Sequence, residues 1–155
     1  MSNPGFTMRR ILVINGPNLN NLGKRDATQY GSVTLADIEQ RVSERANQLG
    51  VNTAFFQSNH EGSIVDWIQS ETADADGIII NAGALTQVGY SLLDAILDSK
   101  LPTIEVHMSN IHAREEFRRH SVIAPFALGQ IAGLGWRGYL HALESLVAHI
   151  EENSG

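Results

Sequence analysis

Five short apolar runs, each followed by a stretch with helical spacing or a polar loop, constrain this chain more than any other feature. The runs are Arg10–Asn15, Val51–Gln57, Gly77–Asn81, Thr103–Val106 and Ala127–Ala132. Ile11–Ile14 and Ile78–Ile80 are apolar at every position, and Ile131 with its neighbours is read as a third such run. A strand with one wet face alternates polar and apolar residues, whereas a strand covered on both faces does not. The segments between the runs carry the helical pattern. Thr34 with Asp37 makes a capping arrangement; Leu35, Ile38, Val42, Ala46 and Leu49 share a face; and Gly50 stops the helix. Ile64, Val65, Trp67 and Ile68 mark a second helix over Ser63–Ala73, Leu92–Leu97 a third, and Tyr139–Glu151 a last.

Alternation of this kind predicts a parallel sheet with helices on both faces, a three-layer αβα sandwich with five strands in flavodoxin-like order. Residues 1–8 read as a short tail and residues 9–155 as one domain, a size that 155 residues support. In such a sheet ligands bind beyond the carboxyl ends of the strands, where strand order reverses. The loops gathered there carry Asn18 to Tyr30, Asn81 to Gln87, and His107 to Ser109.

Bulk properties narrow the function. Net charge is −6, from 11 Lys+Arg against 17 Asp+Glu, which argues against nonspecific nucleic-acid binding. The absence of Cys excludes disulfides, thiolate catalysis and Cys-ligated metals. No apolar stretch approaches the roughly 20 residues of a membrane span, and the start lacks a secretory apolar region, so a cytoplasmic location is expected. His112 and His120 fit no zinc-ligand spacing, so no metal site is expected.

The polar loops hold the candidate chemistry. Tyr30 lies five residues after Arg25. A tyrosine titrates near pH 10 and is ordinarily a poor base, but a guanidinium within about 4–6 Å favours the tyrosinate. The alternative is an exposed loop Tyr beside an unrelated Arg. His107 follows Glu105 by two residues on one strand face, where the carboxylate could orient the imidazole of a general acid or base. A satisfied core or edge histidine is the other reading. The Met108–Asn110 segment could offer backbone N–H groups to an anion, or simply cap a short helix. Arg114 and Arg118 could face one ligand or pair with Glu115 and Glu116. Gly133–Gly138 matches G-x-G-x-x-G, yet no strand follows it. Tight strand–helix packing accounts for it better than a dinucleotide site.

Taken together, residues 11–25 (ILVINGPNLNNLGKR), 30–31 (YG), 57–62 (QSNHEG), 78–86 (IIINAGALT) and 105–121 (EVHMSNIHAREEFRRHS) resemble type II 3-dehydroquinate dehydratase. The similarity runs from about Arg10 to Glu151. It implies dehydration of 3-dehydroquinate to 3-dehydroshikimate without cofactor, metal or Schiff base, on a flavodoxin-like subunit in a dodecamer of four trimers. It further implies Tyr30 as base with Arg25 beside it, Asn18 holding a water at the enolate oxygen, and His107, oriented by Glu105, as the acid. Binding roles fall on Asn81 and Arg118 for hydroxyls, Met108 and Ser109 amides for the carboxylate, and Asp94 from a neighbouring subunit. Residues from about Asn20 to Tyr30 would form a lid.

The chain departs from the resembled pattern at one corner. Gln87-Val88-Gly89 stands where the pattern has His-Thr-Ser, and Leu93 where it has Arg. Gln87 can donate or accept a hydrogen bond but carries no charge. Weakened substrate binding at Gln87 is the expected consequence, with assembly affected at Leu93. A paralogue acting on a related cyclic hydroxy keto acid, or a non-catalytic binding protein on the same fold, are the alternatives.

Overall fold

The structure, a computed structural model, describes residues 8–154. All of the expected tail but Met8 lies outside the described residues. Five strands form one parallel sheet: β1 (Arg10–Asn15), β2 (Asn52–Gln57), β3 (Gly77–Asn81), β4 (Thr103–His107) and β5 (Gly129–Ala132), in the order β2-β1-β3-β4-β5. The order reverses beside β1, as the flavodoxin-like reading requires. Five helices accompany them: α1 (Ala27–Tyr30), α2 (Leu35–Leu49), α3 (Glu61–Glu71), α4 (Tyr90–Ser99) and α5 (Arg137–Asn153).

Side-chain alternation along the central strands divides the core in two. Ile11, Val13, Ile79, Ile104 and Val106 pack with Ile38 and Val42 of α2 and Leu143 and Leu146 of α5. Leu12, Ile14, Ile78 and Ile80 point the other way, to Ile64 and Ile68 of α3 and Leu92 and Ile96 of α4. This explains why the central strands are apolar at consecutive positions: each neighbour serves a different core. On β4 the same alternation sends Glu105 and His107 to the face opposite α5. Both are buried there.

The helix over Leu35–Leu49 opens on the expected capping box, with Thr34 and Asp37 bonding each other's backbone N–H, and closes at Gly50 with φ +73°. Other boundaries move. The second helix begins at Glu61 rather than Ser63, with His60 at its N-cap position and no side-chain capping bond. The last strand begins at Gly129, not Ala127, because Pro125 sits in a 3-10 turn over Ala124–Phe126 that delays extension. This strand is an edge and only half-buried, so its apolar character does not reflect cover on both faces. Among the described residues no helix is long and apolar enough to cross a membrane.

Candidate active site

The carboxyl ends of β1, β3 and β4 open into a cleft of about 140 Å³, lined by Asn18, Arg25, Tyr30, Asn81, Gln87, His107, Met108, Ser109, Arg114 and Arg118 among others. Nine of the eleven expected residues thus share one wall system. Glu105 lies beneath His107, fully buried. Asp94 is exposed on α4 and does not line the cleft of its own chain. A larger cleft, about 660 Å³, lies at the amino-terminal end of the sheet and shares none of these residues.

The first wall is the segment between β1 and α2. Gly16 has no room for a side chain, since a Cβ would stand 2.3 Å from the Ala82 carbonyl oxygen. That close approach lets the chain leave β1 directly over β3. Asn18 follows in the left-handed region at φ 71°, and its N–H donates to Asn59 Oδ1 at 2.9 Å. Leu19 and Leu22 are buried in the α2–α5 core and anchor the segment. Its far end is the single helical turn α1, capped by Asp26, whose side chain accepts from Thr28 N–H. The expected lid is therefore helical where it carries Tyr30.

Two guanidinium groups converge on Tyr30. Arg25 Nη2 donates to the phenolic oxygen at 2.9 Å, with its carbon 3.8 Å from the ring centroid. Arg114 Nη1 donates to the same oxygen at 2.8 Å from 84 residues away. Local spacing suggested ligand contact or helix-surface pairing for Arg114, and its bond to Tyr30 was missed. The nearest signal was the Arg-rich block 114–119 on a loop reaching the same sheet edge.

The opposite wall belongs to β4. His107 Nε2 lies 2.8 Å from Glu105 Oε2, which leaves Nδ1 for the cleft. Burial alone would raise the Glu105 carboxyl. Hydrogen bonds from His107, Ser121 and Gln130 outweigh it, and the group is held below its ordinary value. Beyond His107, the N–H groups of Met108 and Ser109 have no protein acceptor among the described residues, although both residues are nearly buried. Unpaired donors in such a place call for a ligand or water. Gly133 and Gly135, at φ +88° and +61°, donate their N–H groups to the His107 and Met108 carbonyls. The glycine-rich turn thus braces the loop after β4. Close strand–helix packing holds for Gly138, whose added Cβ would meet Ile131 and Val106 at 3.4 Å, while a Cβ on Gly133 would meet Asn110 at 3.3 Å.

The remaining candidates that line the cleft are two uncharged amides and one arginine of the Arg-rich block. Asn81 Nδ2 donates to Tyr139 Oη at 3.0 Å, while its Oδ1 accepts from Gly83 N–H. Gln87 ends the 3-10 turn over Gly83–Gln87. Arg118 lines the cleft and also pairs with Glu115, the pairing that its spacing offered. Three arginines around one cleft, in a chain of net charge −6, make a cationic site suited to an anion.

A parallel sheet whose strand order reverses, with an arginine-flanked tyrosine and a carboxylate-braced histidine at its carboxyl edge, defines a flavodoxin-like α/β protein with a cationic cleft. Comparison with known proteins takes this further. The sequence model of the family described as Dehydroquinase class II matches residues 9–147, and the chain belongs to that family. It is 59% identical over 138 residues to a 3-dehydroquinate dehydratase of Roseiflexus castenholzii, covering 89% of this chain and 88% of that one. Its fold superposes on the crystal structure of type II dehydroquinase from Butyrivibrio crossotus with a TM-score of 0.87, at 43% identity, over 90% of this chain and 97% of that one. The type II dehydroquinase from Propionibacterium acnes gives 0.86 at 40% identity, over 92% and 99% of the two chains.

Proposed function

We infer that this protein is a hydro-lyase that dehydrates 3-dehydroquinate to 3-dehydroshikimate through an enolate. The observation that carries the reading is the pairing, across one cationic cleft, of Tyr30 under two guanidinium groups with the Glu105–His107 dyad. Removing a proton next to a ketone needs a positioned base and a stabiliser for the enolate that forms. Tyr30 is the base, its phenolate held by N–H donors from Arg25 and Arg114. Asn18 sits at the same wall and holds the water that meets the enolate oxygen. Collapse of the enolate expels the tertiary hydroxyl, which leaves as water with the proton from His107 Nδ1. The proton taken by Tyr30 then returns to His107 through solvent, and the site is reset.

The unpaired Met108 and Ser109 N–H groups suit the substrate carboxylate. Asn81, Gln87 and Arg118 suit its hydroxyls. Of the segment from Asn20 to Tyr30, the part beyond the buried Leu22 closes over the substrate. The exposure of Asp94 and of Val88, Tyr90 and Leu97 on and before α4 supports a subunit contact there, with Asp94 serving a neighbouring site in a dodecamer of trimers. The reaction serves the shikimate pathway or quinate breakdown, in a single catalytic domain acting in the cytoplasm.

Mixing the protein with 3-dehydroquinate and following the near-ultraviolet absorbance of the conjugated product tests the activity. Turnover in wild type and none in Tyr30→Phe, with product binding retained, is the expected result. A folded wild type without turnover would redirect the site to a related cyclic hydroxy keto acid. Light scattering on the eluting protein should give a dodecamer, and a stable monomer would refute the role of Asp94.

A further inference from the structure

Two polar side chains outside the cleft hold the acid in place. Neither Ser121 nor Gln130 lines the cavity, yet both end on the Glu105 carboxylate. Ser121 Oγ lies 2.5 Å from Oε1 and also accepts the N–H groups of Ile123 at 3.1 Å and Ala124 at 2.9 Å. A hydroxyl has one proton and two lone pairs. With both lone pairs facing N–H donors, its proton is directed to Glu105. Gln130 is the register partner of Glu105 on β5. It donates Nε2–H to Oε2, the oxygen that also meets His107. A fully buried carboxylate therefore receives three donors from three separate places in the chain.

That arrangement decides where the proton of the dyad rests. A buried carboxylate beside an imidazolium can take its proton, and burial by itself favours the neutral pair. Donors to the carboxylate favour the ion, because a protonated Glu105 would have to turn a hydrogen toward one of them. Kept as an anion, Glu105 holds Nε2–H and leaves the acidic proton on Nδ1, facing the cleft. We propose that Ser121 and Gln130 are positioning residues for the dehydration, keeping the proton of the Glu105–His107 dyad on the imidazole where the leaving hydroxyl can collect it. The inference rests on His107 as the acid. The other titratable or charged groups around the imidazole are Tyr30, Arg25, Arg114 and Arg118 across the cleft. β3 contributes none in register, since Glu105 lies between Ile80 and Gln130.

Steady-state kinetics over a range of pH test the assignment, with His107→Ala as reference. Gln130→Met removes the donor and keeps the length. It should lower kcat about tenfold with KM unchanged, part of the roughly 10²–10⁴-fold that a positioned acid contributes. Gln130→Glu donates to Glu105 only while its own carboxyl is protonated. Its kcat should approach wild type at acid pH and fall as pH rises, a limb that a purely structural residue would not create. Ser121→Thr, which keeps the hydroxyl, should retain more kcat than Ser121→Ala. Gln130 variants matching wild type in kcat and pH profile, with His107→Ala inactive, would overturn the positioning role and leave the acid intact. A loss shared by kcat and KM with no change in pH profile would overturn it as well. An active His107→Ala would overturn the acid assignment, and this inference with it.

Discussion

Tyr139→Phe tests how the interior below the cleft holds Asn81. Tyr139 is fully buried on α5, and burial pushes its phenol far above the ordinary value, so the hydroxyl remains a donor at any working pH. It donates to Asn15 Oδ1 at 2.5 Å and accepts from Asn81 Nδ2 at 3.0 Å. Asn15 and Asn81 are register partners at the ends of β1 and β3, so one hydroxyl ties together the two strand ends that carry the site. Asn15 Nδ2 already has no partner. Deleting the oxygen strands two more buried polar atoms, each worth about 1–3 kcal/mol, while direct re-pairing of the amides across the ladder would recover part. A net loss of about 2 kcal/mol lowers Tm by roughly 4–8 °C for a chain of this length. Calorimetry at fixed protein concentration reads it, since association adds to apparent stability. In the enone assay KM should rise several-fold as the Asn81 amide loses its orientation, with kcat changed less. A Tm within about 1 °C of wild type and an unchanged KM would refute the bridge, because a buried bond of this kind cannot be removed without cost.

Two further outcomes are expected. Gln87→His should leave kcat similar and lower KM, by roughly fivefold if about 1 kcal/mol of binding is restored; an unchanged KM would mean that residue 87 has no part in binding. Glu105→Gln bears on acid stability. The folded carboxyl titrates below its ordinary 4.5, so its contribution is complete above that pH and is lost as pH falls through the lower folded value. The Tm gap between wild type and Glu105→Gln should therefore be widest near neutrality and narrow below about pH 4.5, and a pH-independent gap would refute the linkage.

The sheet was legible because its central strands serve two cores, and consecutive apolar residues such as Ile78–Ile80 record that directly. Glu105 and His107 were legible as a pair because a strand period of two is a local property. The other contacts of the site are not local. Arg114 reaches Tyr30 across 84 residues, Gln130 reaches Glu105 across 25, and Asn59 takes the Asn18 N–H across 41. None of these leaves a spacing to read, because the fold alone sets the distance. The turn α1 escaped for another reason. Four residues contain no helical period, and Asp26 followed by Thr28 was its only local mark.

On the proposed roles, the corner at Gln87 can differ without disturbing proton transfer, because the site is assembled from separate supports. Tyr30, the proposed base, arrives on α1, held by Arg25 and Arg114. His107, the proposed acid, rests on β4, and its Glu105 partner is braced by β5 and Ser121. The binding corner belongs to the 3-10 turn after β3. A change there alters what the cleft grips, while the donors on Glu105 and Tyr30 remain. A hydrogen bond crosses this division: Val122 N–H donates to the Thr86 carbonyl at 2.9 Å, joining the residue before Gln87 to the residue after Ser121. A shift of the turn would reach the acid by that bond, displacing the hydroxyl that holds Glu105. Substitutions at Gln87 should thus act on KM alone unless they move the backbone at Thr86, in which case kcat and its pH profile would change together.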